Sequence, residues 1–184
     1  MYNKFKTGGV EFEVNHEFTE RFSVRGVATF QDSKAVEYKT WDTGANGNAD
    51  DTIVDYSGNQ TDNSAKVILR VSPSYNVGKF YSSLDFSYMG KRAANVPNAF
   101  ELPAYNESNL NLGYNLSSKW QLQANINNLF NQIGIMGWSA PGGFPAALDR
   151  QGFTKEDLES NPDAVYSTLS IPARSFFITA TYKF

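Results

Sequence analysis

Cysteine is absent from the sequence and histidine occurs once, as His16. The first absence excludes disulfide frameworks, CxxC redox motifs and thiolate metal sites. The second leaves no histidine pair for a zinc centre and little for acid–base catalysis, so neither a metal site nor a bound cofactor is expected. Basic charge is not in excess either. Lys and Arg number 16 against 19 Asp and Glu, a formal net charge of −3 over 184 residues, which speaks against a nucleic-acid partner. No run approaches the ~18 apolar residues of a membrane-spanning helix. The opening residues, Met1 to Lys6, lack the apolar core of a signal peptide.

Aromatic residues are plentiful: 14 Phe, 10 Tyr and 3 Trp make up 15% of the chain. They fall within a period-2 alternation of apolar and polar residues, the pattern of a strand with two unlike faces. Seven such stretches are expected to be strands, from Gly9 to Phe18, Phe22 to Phe30, Ala65 to Tyr75, Phe80 to Tyr88, Leu110 to Leu116, Trp120 to Ile126 and Phe176 to Phe184. No helical stripe of comparable length exists. The connections alternate between short turns (Thr19–Arg21, Asn76–Lys79, Ser117–Lys119) and long loops near residues 39–63, 91–106 and 131–172. In the last loop Thr154 is placed to cap a short helix from Lys155 to Glu159, with Asp157 three residues on.

Two architectures produce this alternation. A soluble antiparallel sheet packs its apolar face on a core, whereas a transmembrane barrel turns it to lipid and lines a lumen with the polar face. The apolar faces carry no Lys, Arg, Asp or Glu, as hydrocarbon demands, because a charge at mid-depth costs ~2–4 kcal/mol there. At the short-turn end those faces carry Phe18, Phe22, Tyr75, Phe80, Trp120, Tyr182 and Phe184, an aromatic belt of the kind found at a bilayer interface. Short turns on one rim and long loops on the other complete the signature of an outer-membrane barrel. The expected fold class is therefore all-β, an antiparallel up-and-down transmembrane β-barrel segment. Seven strands are too few to close, and two open edges in lipid are costly. The chain is expected to be the C-terminal fragment of a longer barrel.

Four motifs in order carry a family resemblance: Ser87-Tyr88-Met89-Gly90-Lys91-Arg92, Glu101-Leu102-Pro103-Ala104-Tyr105, Asn127-Asn128-Leu129-Phe130-Asn131, and the ending from Pro172-Ala173-Arg174 to Tyr182-Lys183-Phe184. This succession resembles the C-terminal third of TonB-dependent outer-membrane receptors. The resemblance implies that residues 1–184 supply the last seven strands of a 22-stranded barrel in the cell outer membrane, without its plug domain. It implies uptake of a scarce nutrient, most often a ferric siderophore, otherwise cobalamin, haem or a carbohydrate. The implied partners are TonB with its inner-membrane complex, acting through a plug that this sequence does not contain, and the barrel-assembly machinery. Lipid, lipopolysaccharide and a small-molecule or metal-chelate ligand complete the set.

Candidate ligand contacts in the outer loops are Trp41, Tyr56, Arg92, Trp138 and Phe144, since aromatics and Arg are favoured at binding hot spots. Each has the structural alternative of packing loop on loop. Ile178, Tyr182 and Phe184 resemble the C-terminal signal read during barrel assembly, and also form the lipid-facing row of the last strand. Asn46, Asn48, Asp50 and Asp51 offer oxygen ligands without the spacing of a calcium loop, so a solvated loop is expected. Glu11, Glu13, Arg25, Lys66, Arg70 and Asp85 are expected on the lumen wall. His16 falls on the lipid side, without a partner for catalysis, so an enzyme is not expected. A porin-like channel segment and a soluble β-sandwich binding module remain the alternatives.

Overall fold

The computed structural model describes residues 3–42, 51–139 and 152–184. Seven long strands form one antiparallel sheet in the order β1-β2-β5-β6-β9-β10-β13. They are β1 (Lys4–Thr19), β2 (Phe22–Glu37), β5 (Val67–Val77), β6 (Phe80–Met89), β9 (Tyr105–Asn115), β10 (Trp120–Asn127) and β13 (Ser175–Tyr182). Each pairs only with its neighbours, so the sheet is up-and-down, with β1 and β13 as its edges.

Two of the three short turns are set by hydroxyl caps. Thr19 Oγ1 accepts from the backbone N–H of Arg21 and Phe22 at 3.2 and 3.0 Å. Ser117 Oγ accepts from those of Lys119 and Trp120 at 3.3 and 3.2 Å. The third turn uses Gly78 at φ +58, a left-handed conformation that glycine adopts at no steric cost.

The register joins the apolar faces of the strands into one surface. Val14, Gly26, Val71, Phe86 and Ser108 form one cross-strand row, and Phe22, Tyr75, Ser82, Leu112, Ala124 and Ile178 form another. Phe22 opens β2, yet Ala124 lies four residues inside β10. Over four strand steps the row leaves the short-turn rim by about 13 Å while crossing about 19 Å of sheet, a strand tilt of about 35°. With that tilt, the outward run from Phe80 to Tyr88 spans about 22 Å of height, close to the ~25 Å apolar band of an outer-membrane barrel. The aromatic belt follows the short turns: Phe18 lies 5.6 Å from Phe22, and Tyr182 lies 4.9 Å from Trp120 and 5.3 Å from Phe184.

The seven strands fall where the alternation places them, with β1, β2 and β9 extended at their long-loop ends. β1 begins at Lys4, β2 runs on to Glu37 and β9 begins at Tyr105, beyond the regular alternation that marks them in the sequence. The long loops hold further pairing that the sequence pattern does not reveal: β3 (Lys39–Asp42) with β4 (Thr52–Asp55), β7 (Arg92–Ala93) with β8 (Glu101–Leu102), and β11 (Ile135–Ser139) with β12 (Ser167–Ser170). The helix α1 (Lys155–Ser160) has Thr154 as N-cap and a complete capping box with Asp157, as its local motif predicts. No helix among the described residues is long and apolar enough to cross a membrane, which does not bear on spanning by strands.

Candidate functional site: an outer loop cap over a two-faced wall

The outer loops interlock above the sheet. Trp138 of β11 is only 4% exposed and sits in a small core with Ala94 and Leu102. Its ring lies 4.7 Å from Phe100, 5.5 Å from Phe153 and 6.1 Å from Tyr166. The indole Nε1 donates to the Ala94 carbonyl at 2.8 Å. Nearby, the fully buried Asn95 donates to the Phe153 carbonyl at 2.6 Å and accepts from the Ala99 N–H. Aromatic contact between loops far apart in sequence makes these segments one folded cap.

Arg92 of β7 is 3% exposed. Its Nη2 donates to the carbonyls of Ile135 and Met136 at 2.6 and 3.1 Å, and its Nε to Asn63 Oδ1 at 3.3 Å. Its guanidinium lies 5.5 Å from the Tyr105 ring centroid, a cation–π arrangement. Burial lowers the Arg92 pKa from its ordinary value and Tyr105 opposes that shift. Arg92 therefore ties three loops together.

The β3–β4 hairpin presents a different surface. Trp41 pairs directly with Ile53, and both side chains are more than half exposed. Tyr56, partly buried, lies 6.5 Å from Tyr38 at the hairpin base. Burial raises the Tyr38 pKa, with a smaller push from Asp62. Asp55 accepts from both the Ser57 N–H and its hydroxyl, and these bonds hold its pKa low, with Lys39 contributing less.

Of the five loop residues singled out from sequence, Trp41 is exposed, Tyr56 is partly buried, and Arg92 and Trp138 are buried within the cap. Phe144 lies outside the described residues, as do Asn46, Asn48 and Asp50. Among the described residues no group of three or more His, Asp or Glu is placed to hold a metal ion. Ile178, Tyr182 and Phe184 are exposed on the outward face. His16 lies on that face, 4.5 Å from Phe18.

The inward face is polar. Arg25 pairs with Glu13 at 2.8 Å, Thr29 donates to Glu11 at 2.9 Å, and Ser72 donates to Asp85 at 2.7 Å. A cleft of about 380 Å³ opens between Arg25, Arg70, Asp85 and Asn109. Lys66 departs from its expected inward place. It precedes β5, so strand alternation does not govern it, and its Nζ reaches Asp32 at 3.6 Å; Asp32 shares outward parity with Phe30.

The sequence pattern does not identify Asn128, which is buried in the Asn127–Asn131 motif. Its φ of +47 is a left-handed conformation that Asn tolerates better than most residues. Its amide bonds to the backbone of Gln132 and Pro172. A paired Asn with turn-forming neighbours is the signal that points to such a knot.

Residues 4–129 match a family model described as TonB dependent receptor-like, beta-barrel. No curated protein sequence matches the chain. Among solved structures, the chain resembles the siderophore receptor PiuA from Acinetobacter baumannii at 21% identity, with TM-score 0.70 over 97% of this chain and 22% of that one. It resembles the ferric yersiniabactin uptake receptor FyuA from Yersinia pestis at 13% identity, with TM-score 0.71 over 99% of this chain and 24% of that one. The closed form of the ferric-catecholate import receptor Fiu from E. coli K12 gives 18% identity and TM-score 0.63, covering 100% of this chain and 22% of that one. The chain thus spans less than a quarter of these receptors' length.

Proposed function

The chain belongs to the TonB-dependent receptor β-barrel family, and its place is the outer membrane; on that premise we propose that it supplies the last seven strands and part of the outer loop cap of a receptor importing a scarce nutrient. The observation that supports this reading best is the two-faced wall itself. One face is predominantly apolar across seven strands and the other is polar, under a folded cap on the long-loop rim. Both edge strands carry unpaired backbone groups, and in hydrocarbon each such group costs several kcal/mol. Further strands must close the barrel.

A ferric siderophore is the cargo we favour, because receptors for such chelates recur among the structural neighbours. In this reading Trp41 and Tyr56 of the β3–β4 hairpin contact the ligand, with Phe144 as a further contact. Arg92 and Trp138 hold the cap that positions them. TonB and its inner-membrane complex would drive import through a plug domain. The barrel-assembly machinery would read the outward row Ile178, Tyr182 and Phe184.

The test is uptake by cells lacking the full-length gene and complemented with it. Energy-dependent import of one ferric siderophore from a panel, lost when TonB is deleted, is the expected result. Import that survives loss of TonB would instead mark a passive channel. Replacing Trp41 by Ala is expected to weaken binding of the chelate about tenfold, as for a hot-spot aromatic.

A further inference from the structure

The inward face of the sheet divides into two contiguous sectors. On β1, β2, β5 and β6 it carries charge in an acid–base–acid order: Glu11 and Glu13, then Arg25 and Arg70, then Asp85. The cleft of about 380 Å³ lies within this sector. Arg25 is paired with Glu13, whereas the Arg70 guanidinium has no ion pair or hydrogen bond among the described residues. On the other side, β10 and β13 contain no charged residue at all. β9 has one, Glu107, at the border opposite Ser87. The inward side chains of this second sector are amides and hydroxyls. Asn125 Oδ1 accepts from Asn111 Nδ2 at 2.7 Å and from Gln123 Nε2 at 3.3 Å, a neutral network shared by two strands. Thr179 lies opposite Gln123, and Phe177, more than half exposed, lies opposite Asn125 as one apolar contact.

We propose that the uncharged sector of β9, β10 and β13 is the lane along which cargo crosses the lumen, with the plug domain seated against the charged sector. The inference rests on the import reading above and deepens it by naming the wall that the cargo touches. Passage needs sites that bind a solute enough to admit it and weakly enough to release it. Hydrogen bonds to charged groups are roughly twice as strong as neutral ones. Arg25, Arg70 or Asp85 would therefore hold an ionic chelate, where Asn111, Gln123 and Thr179 let it move on. Amides and hydroxyls both donate and accept, which suits a hydrated cargo bearing amide, hydroxyl or carboxylate groups. The charged sector suits the opposite task. Its order of charges fixes the register of a complementary protein surface, and the cleft beside the unpaired Arg70 can receive a carboxylate from it. More than three quarters of the receptors this chain resembles lies outside the matched region, ample chain to supply that surface.

These 184 residues contain no cysteine, so single thiols can be placed in a full-length receptor kept otherwise cysteine-free. Ser72→Cys and Ser87→Cys report on the charged sector, and Ser175→Cys and Thr179→Cys on the uncharged one. The probe is methyl methanethiosulfonate, which is small and neutral, and each rate is divided by that of the same thiol after unfolding. Thiol modification follows exposure, so positions 175 and 179 should react roughly tenfold faster than 72 and 87, with heat-modifiable mobility reporting that each variant is folded. In the import assay, Gln123→Glu sets a carboxylate in the lane and should lower the maximal rate about tenfold, with chelate affinity at the cell surface that of wild type. Gln123→Asn, which keeps an amide, should slow import far less. Equal modification of the two sectors, faster modification at 72 and 87, or import undiminished by Gln123→Glu overturns the proposal. The thiol contrast needs no cargo: a receptor that shows it yet imports nothing overturns the function proposed above and leaves the division of the lumen standing.

Discussion

Asn128 Nδ2 donates to the Pro172 carbonyl at 2.9 Å, fastening the end of β10 to the chain that leads into β13, 44 positions further along the sequence. The same amide donates to the Gln132 carbonyl and accepts from the Gln132 N–H, each at 2.9 Å. Asn131 adds a second tie by accepting from the Arg174 N–H at 3.2 Å. The loop is therefore closed at its base, and its length does not loosen the barrel rim.

Asn128→Ala removes three hydrogen bonds to the backbone of Gln132 and Pro172 and places Ala at a left-handed φ. Its expected cost is about 3 kcal/mol, with each lost bond contributing ~1 kcal/mol. The check is the unfolding midpoint of the full-length barrel in detergent. Asn128→Gly keeps the backbone conformation and should lose somewhat less; a midpoint unchanged in both variants refutes the role.

Trp138→Ala should empty the centre of the loop core. Large aromatic truncations in packed cores cost ~3–5 kcal/mol, but here the loss falls on the cap. Limited proteolysis between residues 152 and 170 should accelerate at least tenfold while heat-modifiable mobility of the barrel persists. Trp138→Phe, which loses the bond to the Ala94 carbonyl but keeps a ring, should show a much smaller effect.

The strands were legible because hydrocarbon imposes its rule residue by residue, so Phe80, Leu84, Phe86 and Tyr88 announce one face without any knowledge of their neighbours. The capping box at Thr154 was legible for the same reason, being local. Past Phe30 the rule lapses, so the alternation does not mark residues 31–37 as strand although β2 includes them. The burial of Trp138 depends on Phe100 from another loop and on Phe153 and Tyr166 from distant parts of its own, and this convergence leaves no periodic trace. Lys66 was misplaced because alternation was extended one residue beyond the strand that justifies it.

The turn after β4 should respond to acid. Asp55 accepts two bonds from Ser57, and these lower its pKa from the ordinary 3.8. A depressed carboxylate stabilises the folded turn fully above its unfolded pKa and loses that contribution as pH falls through the folded one. Hydrogen-exchange protection of the Ser57 amide, corrected for intrinsic rate, should therefore stay level down to about pH 4 and decline below it. Ser57→Ala removes the hydroxyl bond and should lower protection at every pH above that point.

Tyr81 and Gly113 are direct cross-strand partners on the inward face, and a Cβ built at Gly113 would fall within the Tyr81 ring. The ring covers the bare backbone of the glycine, and its hydroxyl accepts from Gln121 Nε2 at 2.7 Å. Such aromatic cover compensates for glycine in a strand, where no side chain shields the ladder. Gly113→Ala should cost ~1–3 kcal/mol, because the ring must leave its place. Tyr81→Ala should also destabilise, by exposing the glycine. The double variant discriminates: with the ring gone, alanine at 113 meets no obstacle and gains strand propensity, so the two losses must fall short of additive. Barrel midpoints for the four proteins of this cycle measure the coupling, and strict additivity would mean that the ring and the glycine are merely adjacent.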